Sequence, residues 1–525
     1  MTDTSFSHPS RLQYPNKSKT LTLFERLKPT DALLIRMLLV IGVLLRLRQY
    51  LFNRSLWLDE CLLSLNLISR SLGELLKPLN YHQGAPLGFL VLEKGVLHLF
   101  GTGEMALRSV PLLSGIASLF LFAEVAKRFL TTKAVPIAVG LFAISGPLIY
   151  YSSEAKQYST DVAVVLALLL LADSIIRTET RPVQALLFSF AAAISIWFSQ
   201  PAAFVVAGIG VTWLWVAIRE PNKKDLTGPL AFGIITAASF VVSFFLSLRK
   251  LSQDEWLLGY WNGAFLPMPP FSLAAIRWLI TTWLNIWETP VGLTFVGIAT
   301  AASIVGMKEM FREHLRNLFL LTLPIVLALI ASGFHRYPFR GRLLLFAVPS
   351  LLLLVAAGLS AIRRHTSEAV PWLGALLIGL LFFVPAEDAL HYLSKPAGVE
   401  EIRPALQYVQ QHRQAGDTLY CYYDAEPALK YYSSQGVIQP MPAIIGIESR
   451  QNWAAYLQDL NHLQGKERIW ILFSHIYRGG GVDEERFFLS HLDQIGKRKA
   501  EMRATGASVY LYDFSEPVNR DFSKP

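Results

Sequence analysis

The sequence predicts an α-helical polytopic membrane protein of about eleven transmembrane helices that ends in a small α/β domain outside the cytoplasm. Three observations carry this. The 525 residues are 53% hydrophobic and 17% charged, against about 25% charged in soluble domains. The apolar residues fall in nearly charge-free blocks of about 18 to 22 residues, the length a helix needs to cross a bilayer. Beyond about residue 395 the chain turns polar, and strand-like runs alternate with amphipathic helical ones.

Residues 1–30 are polar and lack the apolar core and cleavage site of a signal peptide. They read as a disordered cytoplasmic tail before an uncleaved signal-anchor. The expected spans, with boundaries good to about 2–4 residues, begin with 32–50, 105–126, 135–151 and 161–176. Spans 185–198 and 202–218 follow, separated only by Ser199-Gln200-Pro201, and then 230–248. Four more start near Val291, Leu318, Leu343 and Pro371. Together, residues 31–390 form the membrane domain.

Lys and Arg cluster at Arg26/Lys28/Arg36, Lys127-Arg128, Arg177/Arg181, Arg219/Lys223/Lys224, Lys308/Arg312/Arg316 and Arg363-Arg364. With about eleven spans these all share one side, which the positive-inside rule makes the cytoplasm. The net charge of +9 follows from this bias, and no basic run with interleaved aromatics points to nucleic acid. The opposite side receives loops 51–104, 152–160, 249–290 and 334–342, and residues 395–525. In that last segment 402–412, 425–433 and 483–495 read as helices, and 418–423, 468–473 and 508–512 as strands of a parallel or mixed sheet. Cys61 and Cys421 are too few for a disulfide framework or a cysteine zinc cluster.

Four loop segments carry candidate chemistry. Trp57-Leu58-Asp59-Glu60 places two carboxylates at the membrane edge, where charge is costly. Asp59 reads either as a helix cap or as a general base that takes a proton from an acceptor hydroxyl. Tyr81-His82-Gln83-Gly84-Ala85-Pro86 opens an interfacial segment in which His82 is a candidate to position a substrate or bind a metal, or is a plain turn residue. Tyr150 to Tyr158 brings Glu154, Lys156 and Tyr158 to the same face, where a cation can neutralise a phosphate leaving group, or it is an ordinary loop with snorkelling ends and two interfacial tyrosines. Phe334 to Arg342 carries His335, Arg336, Tyr337, Arg340 and Arg342 against the charge bias. Arginine forks suit phosphate oxygens, on a substrate or on lipid headgroups. The aromatic loop 249–290 reads as an interfacial belt or a surface for stacking sugars.

Taken in order, these motifs resemble the GT-C superfamily of glycosyltransferases that use lipid-linked sugars. More narrowly, they resemble bacterial family 39-like members related to protein O-mannosyltransferases and the lipid A aminoarabinose transferase. The resemblance lies in Trp57-Leu58-Asp59-Glu60, His82 to Leu87, Phe100-Gly101, Ala106-Leu107-Arg108, Pro147 to Tyr158 and Tyr337 to Arg342, across residues 30–360. It implies a membrane-embedded inverting transferase using a polyprenyl-phosphate sugar, with undecaprenyl phosphate as the bacterial carrier. The acceptor would be a lipid, glycan or protein, and the setting the inner cell membrane. It implies Asp59 as catalytic acid-base residue with Glu60 beside it. Glu154 would support the site, and Lys156 and the arginines at 336–342 would hold donor phosphate. Some relatives use a divalent metal and others need none. The chain departs from aminoarabinose enzymes at Gly84-Ala85-Pro86, where they carry a charge, so the resemblance names no sugar. A transporter or flippase is the alternative class, but it would place its charges near the midplane, often with inverted repeats.

Overall fold

The computed structural model describes residues 29–177, 181–219, 226–450 and 452–515. Most of the expected N-terminal tail lies outside the described residues; its last two open the first helix, Pro29–Leu51. Each of the eleven expected spans coincides with a helix or a pair of broken helices. Among the described residues seven helices are long and apolar enough to cross a membrane, or eight if the bent pair Leu273–Val291 and Val296–Glu313 counts as one. The chain is thus a multi-pass helical membrane protein.

The remaining expected spans depart from a plain apolar rod for physical reasons. Pro29–Leu51 carries Arg36, Arg46 and Arg48. The third span is broken into Val135–Ile144 and Gly146–Tyr151. Pro147 has no N–H to offer the carbonyl of Ala143. Buried Arg46 takes that place, donating to Ala143 O at 3.2 Å and to Gly42 O at 3.0 Å. A charge inside the first span is therefore explained by a break in the third. Pro182–Phe198 has 17 residues, just short of a full crossing.

Packing brings some helices to backbone contact. A Cβ on Gly306 would run into Leu354 O, and one on Gly358 would run into Ala302 O. Glycine alone allows Val296–Glu313 and Val348–Thr366 to cross this closely.

The C-terminal part is a mixed five-stranded sheet in the order β2-β1-β3-β7-β6. Its strands are β1 (Thr418–Cys421), β2 (Ala443–Ile445), β3 (Ile469–Ser474), β6 (Lys497–Ala504) and β7 (Ala507–Asp513), with β4 (Arg478–Gly479) and β5 (Val482–Asp483) forming a separate pair. β1 runs parallel to β2 and β3, whereas β7 is antiparallel to both β3 and β6. Sequence reading finds β1, β3 and β7 but misses β2, which has three residues. It also misses β6, whose Lys, Arg and Glu side chains mark a solvated edge.

This sheet does not hang free of the membrane half. Leu56, Cys61, Leu63 and Leu67 share one apolar core with Tyr420, Tyr431 and Tyr432. Glu401 Oε2 accepts from Ser55 N at 3.1 Å, and the Tyr432 hydroxyl accepts from Leu56 N at 2.8 Å. Cys61 and Cys421 are both buried, free thiols.

Candidate active site

The helix Leu58–Ser69 begins beneath the C-terminal domain, with Trp57 extended at its cap position. Its first amides are satisfied by groups other than Asp59. Glu60 Oε2 accepts from Trp57 N at 3.4 Å, and Glu400 Oε2 accepts from Leu58 N at 3.0 Å. Asp59 is therefore released from capping, and its side chain faces a cavity.

Glu60, expected at the chemistry, is instead completely buried and does not line that cavity. Its carboxylate receives Arg54 at 2.6 Å, Arg108 at 2.7 and 2.9 Å, and the amide of Ala155 at 2.8 Å. Arg108 also donates to Arg54 O, and Arg54 to Ser153 O. Burial alone would raise the Glu60 carboxyl, but Arg108 and Arg54 outweigh it and hold it below the usual glutamate range. The cluster locks loop 54–60 to loop 152–157, and so sets Asp59 against Lys156.

Asp59 is paired with Lys156 Nζ at 3.0 Å and with Arg342 Nη2 at 2.7 Å. Lys156 also donates to Gln83 Oε1 at 2.6 Å. The Arg342 guanidinium lies over Trp57 at 5.3 Å and Tyr158 at 5.8 Å. Burial works to raise the Asp59 pKa, and Lys156 and Arg342 reverse it to a net lowering. Glu154, expected at the substrate, is buried behind Lys156 and does not line the cavity, and neither of its carboxylate oxygens has a hydrogen-bond partner. Burial, then the charge on Glu60, push its pKa up.

The cavity has a volume of about 1210 Å³. Asp59, His82, Gln83, Lys156, Tyr158, Arg336, Tyr337 and Arg342 all line it. His82 Nδ1 lies 2.8 Å from Asp254, and its ring stacks on Trp256 at 4.8 Å, which stacks in turn on Tyr260. Arg336 is exposed and reaches Ser252 Oγ at 3.4 Å. The Tyr337 hydroxyl donates to Leu343 O at 2.6 Å. Arg340 is exposed and does not line the cavity, a correction to the expected three-arginine set. Its neighbour Phe339 is anchored inward, with its amide on Ala264 O at 2.8 Å. Arg340 itself is extended, and side chains alternate along an extended backbone.

Away from the charges the cavity becomes an apolar trough between Ala202–Arg219, Thr227–Leu251 and Leu315–Gly333, lined by Val211, Leu214, Ile234, Phe240, Phe244 and Ile330. At its other end Asp424, Glu448, Arg450 and His475 of the C-terminal domain complete the wall. Sequence reading misses these four. Three of them have a faint signal, an acid or histidine within three positions of the end of each parallel strand, and Arg450 has none. Backbone strain marks the same region. Among the described residues, five non-glycine positions have positive φ, and Tyr81, His82, His335 and His475 of these line the cavity.

A metal centre does not fit these groups. Among the described residues no three His, Cys, Asp or Glu side chains gather in a way that could hold an ion, and Asp59 already faces two cations.

No family model and no curated protein matches this chain. Among solved structures it is similar to ArnT from Cupriavidus metallidurans bound to undecaprenyl phosphate, with a TM-score of 0.48 and 12% identity over 91% of this chain and 97% of that one. It is also similar to the oligosaccharyltransferase AglB from Archaeoglobus fulgidus in complex with an inhibitory peptide and a dolichol-phosphate. There the TM-score is 0.49 at 11% identity, over 94% of this chain and 75% of that one. At these scores and identities the likeness is one of chain path and assigns no reaction to this chain.

Proposed function

We propose that the chain is a membrane glycosyltransferase. It moves a sugar from a polyprenyl-phosphate donor to a hydroxyl of a lipid, glycan or protein acceptor, with inversion, at the extracytoplasmic face of the inner cell membrane. The observation that carries this reading is that one cavity joins a cation-held carboxylate to a long apolar trough. The trough suits a polyprenyl chain, and Lys156, Arg342 and Arg336 suit its phosphate. The bias of Lys and Arg toward the other side supports the assignment of the face.

In this reading the donor phosphate competes with Asp59 for Lys156 and Arg342. As it takes them over, the depressed Asp59 carboxylate regains basicity. The acceptor oxygen then attacks the anomeric carbon while its proton passes to Asp59. The bond from that carbon to the phosphate oxygen breaks, and polyprenyl phosphate leaves with its charge held by the same cations. Glu60 and Glu154 act behind this surface as positioning groups.

The test compares cells carrying the chain with cells carrying Asp59→Asn, by mass spectrometry of membrane lipids and surface glycans. A sugar-sized mass increment on an acceptor should appear with the first and vanish with the second. An increment that persists in Asp59→Asn overturns the assignment. Lipid that crosses the membrane with its sugar still attached would point to a flippase instead.

A further inference from the structure

The C-terminal domain meets the cavity with one edge of its sheet. Asp424 follows β1, Glu448 and Arg450 follow β2, and His475 follows β3, and all four side chains line the cavity that holds Asp59. In sheets of parallel strands the loops at the carboxyl ends bind ligands, at the point where successive connections leave a strand on opposite sides. β1 is that strand here. The chain goes out to β2 on one flank and returns to β3 on the other, so Asp424 and His475 stand on either side of the crevice.

The groups at this edge are held in place. Arg450 Nη2 pairs with Asp424 at 2.7 Å and Nη1 approaches Glu448 at 3.6 Å. Its guanidinium lies over Tyr423 at 5.4 Å and Tyr477 at 4.7 Å. His475 is held at φ +52°. Its Nδ1 lies 2.6 Å from Glu400, and its ring lies 6.3 Å from that of Trp57. The other Glu400 oxygen accepts from Leu58 N, the amide next to Asp59. The edge is thereby tied to the helix that presents the carboxylate.

The two ends of the cavity differ in charge. On the membrane side Lys156 and Arg342 face Asp59 and Arg336 lines the same wall, whereas on the domain side Asp424 and Glu448 face Arg450, with Glu400 behind His475. An anion is drawn to the first end, and the second offers it no surplus of positive charge. Carboxylates that accept hydrogen bonds from hydroxyls, beside the Trp57 ring that lines the same cavity, match a ring that carries hydroxyls on its rim and C–H groups on its face.

We propose that this edge of the C-terminal domain is the acceptor subsite and that it takes a neutral, hydroxyl-rich saccharide, presenting one hydroxyl to Asp59. The proposal rests on the glycosyl-transfer reading above for its role, but not for its binding chemistry.

Saturation-transfer NMR on the full-length protein in nanodiscs tests it. The probes are methyl α-glucoside, methyl α-mannoside and methyl α-galactoside, compared with mannose 6-phosphate and a serine-containing tetrapeptide. At least one neutral glycoside should receive saturation, and the signal should be lost in Asp424→Asn and in His475→Ala. Asp424→Asn preserves shape and decides the question if His475→Ala does not fold. The proposal is overturned if no neutral glycoside responds, if the response survives Asp424→Asn, or if only the phosphosugar or the peptide responds. Binding of undecaprenyl phosphate to the unsubstituted protein is measured alongside. Its absence with a glycoside response intact removes the donor reading and leaves the saccharide subsite. The reverse pattern leaves the donor reading and removes the subsite.

Discussion

Asp59 and Glu60 are adjacent in sequence and opposite in fate. Successive residues on a helix point about 100° apart, so one carboxylate faces the cavity and the other the packed interior. Asp59 competes with phosphate for Lys156 and Arg342. Asp59→Asn should therefore bind undecaprenyl phosphate at least as tightly as the unsubstituted protein while transfer falls by about 10²- to 10⁴-fold; weaker lipid binding in a calorimetric titration would contradict this competition. Arg342→Ala should weaken the same binding. Glu154 makes a separate prediction. Its carboxyl is raised by burial and then by Glu60, so its folded pKa lies above its unfolded value of about 4.3. A raised carboxyl costs stability as pH climbs from the unfolded value through the folded one. Glu154→Gln should leave the unfolding temperature unchanged at about pH 4 and raise it relative to the unsubstituted protein at about pH 8.

At the scale of elements, the loops around the site are held by charge and the helices by shape. Glu60 stands between Arg54 and Arg108 with no exposure. Glu60→Gln leaves two buried guanidinium groups without their counter-ion and should cost about 3–5 kcal/mol, read as a lower unfolding temperature in nanodiscs. The sign with pH is opposite to that of Glu154. The folded pKa of Glu60 is depressed, so its stabilisation is present above the unfolded value of about 4.3 and is lost as pH falls toward the folded one. Gly358→Ala drives a methyl into Ala302 O and should cost about 1–3 kcal/mol by forcing two helices apart, again visible in thermal unfolding. The hydropathy that announces the spans is local and legible. The break at Ser145 is less so, because Pro147 signals it but the compensating Arg46 lies about a hundred positions away.

At the scale of the whole molecule, the C-terminal domain and the loop after the first span form one core. Truncation before residue 396 would expose Leu56, Leu63 and Leu67 together with unpaired amides at Ser55, Leu56 and Leu58. The shortened chain should aggregate in size-exclusion chromatography rather than yield an intact membrane domain. Apolar block length, charge bias and strand-helix alternation by themselves determine a multi-pass helical protein with an α/β end, because each is written in neighbouring residues. The ordered motifs likewise mark Asp59, His82, Lys156 and Arg342 as candidates. Only the tertiary structure decides that Glu60 and Glu154 lie behind the cavity, that Arg340 turns away, and that Asp424, Arg450 and His475 enter it. Which face of an element a side chain takes, and which distant loop meets it, depends on packing between segments hundreds of residues apart. Local pattern carries no record of that.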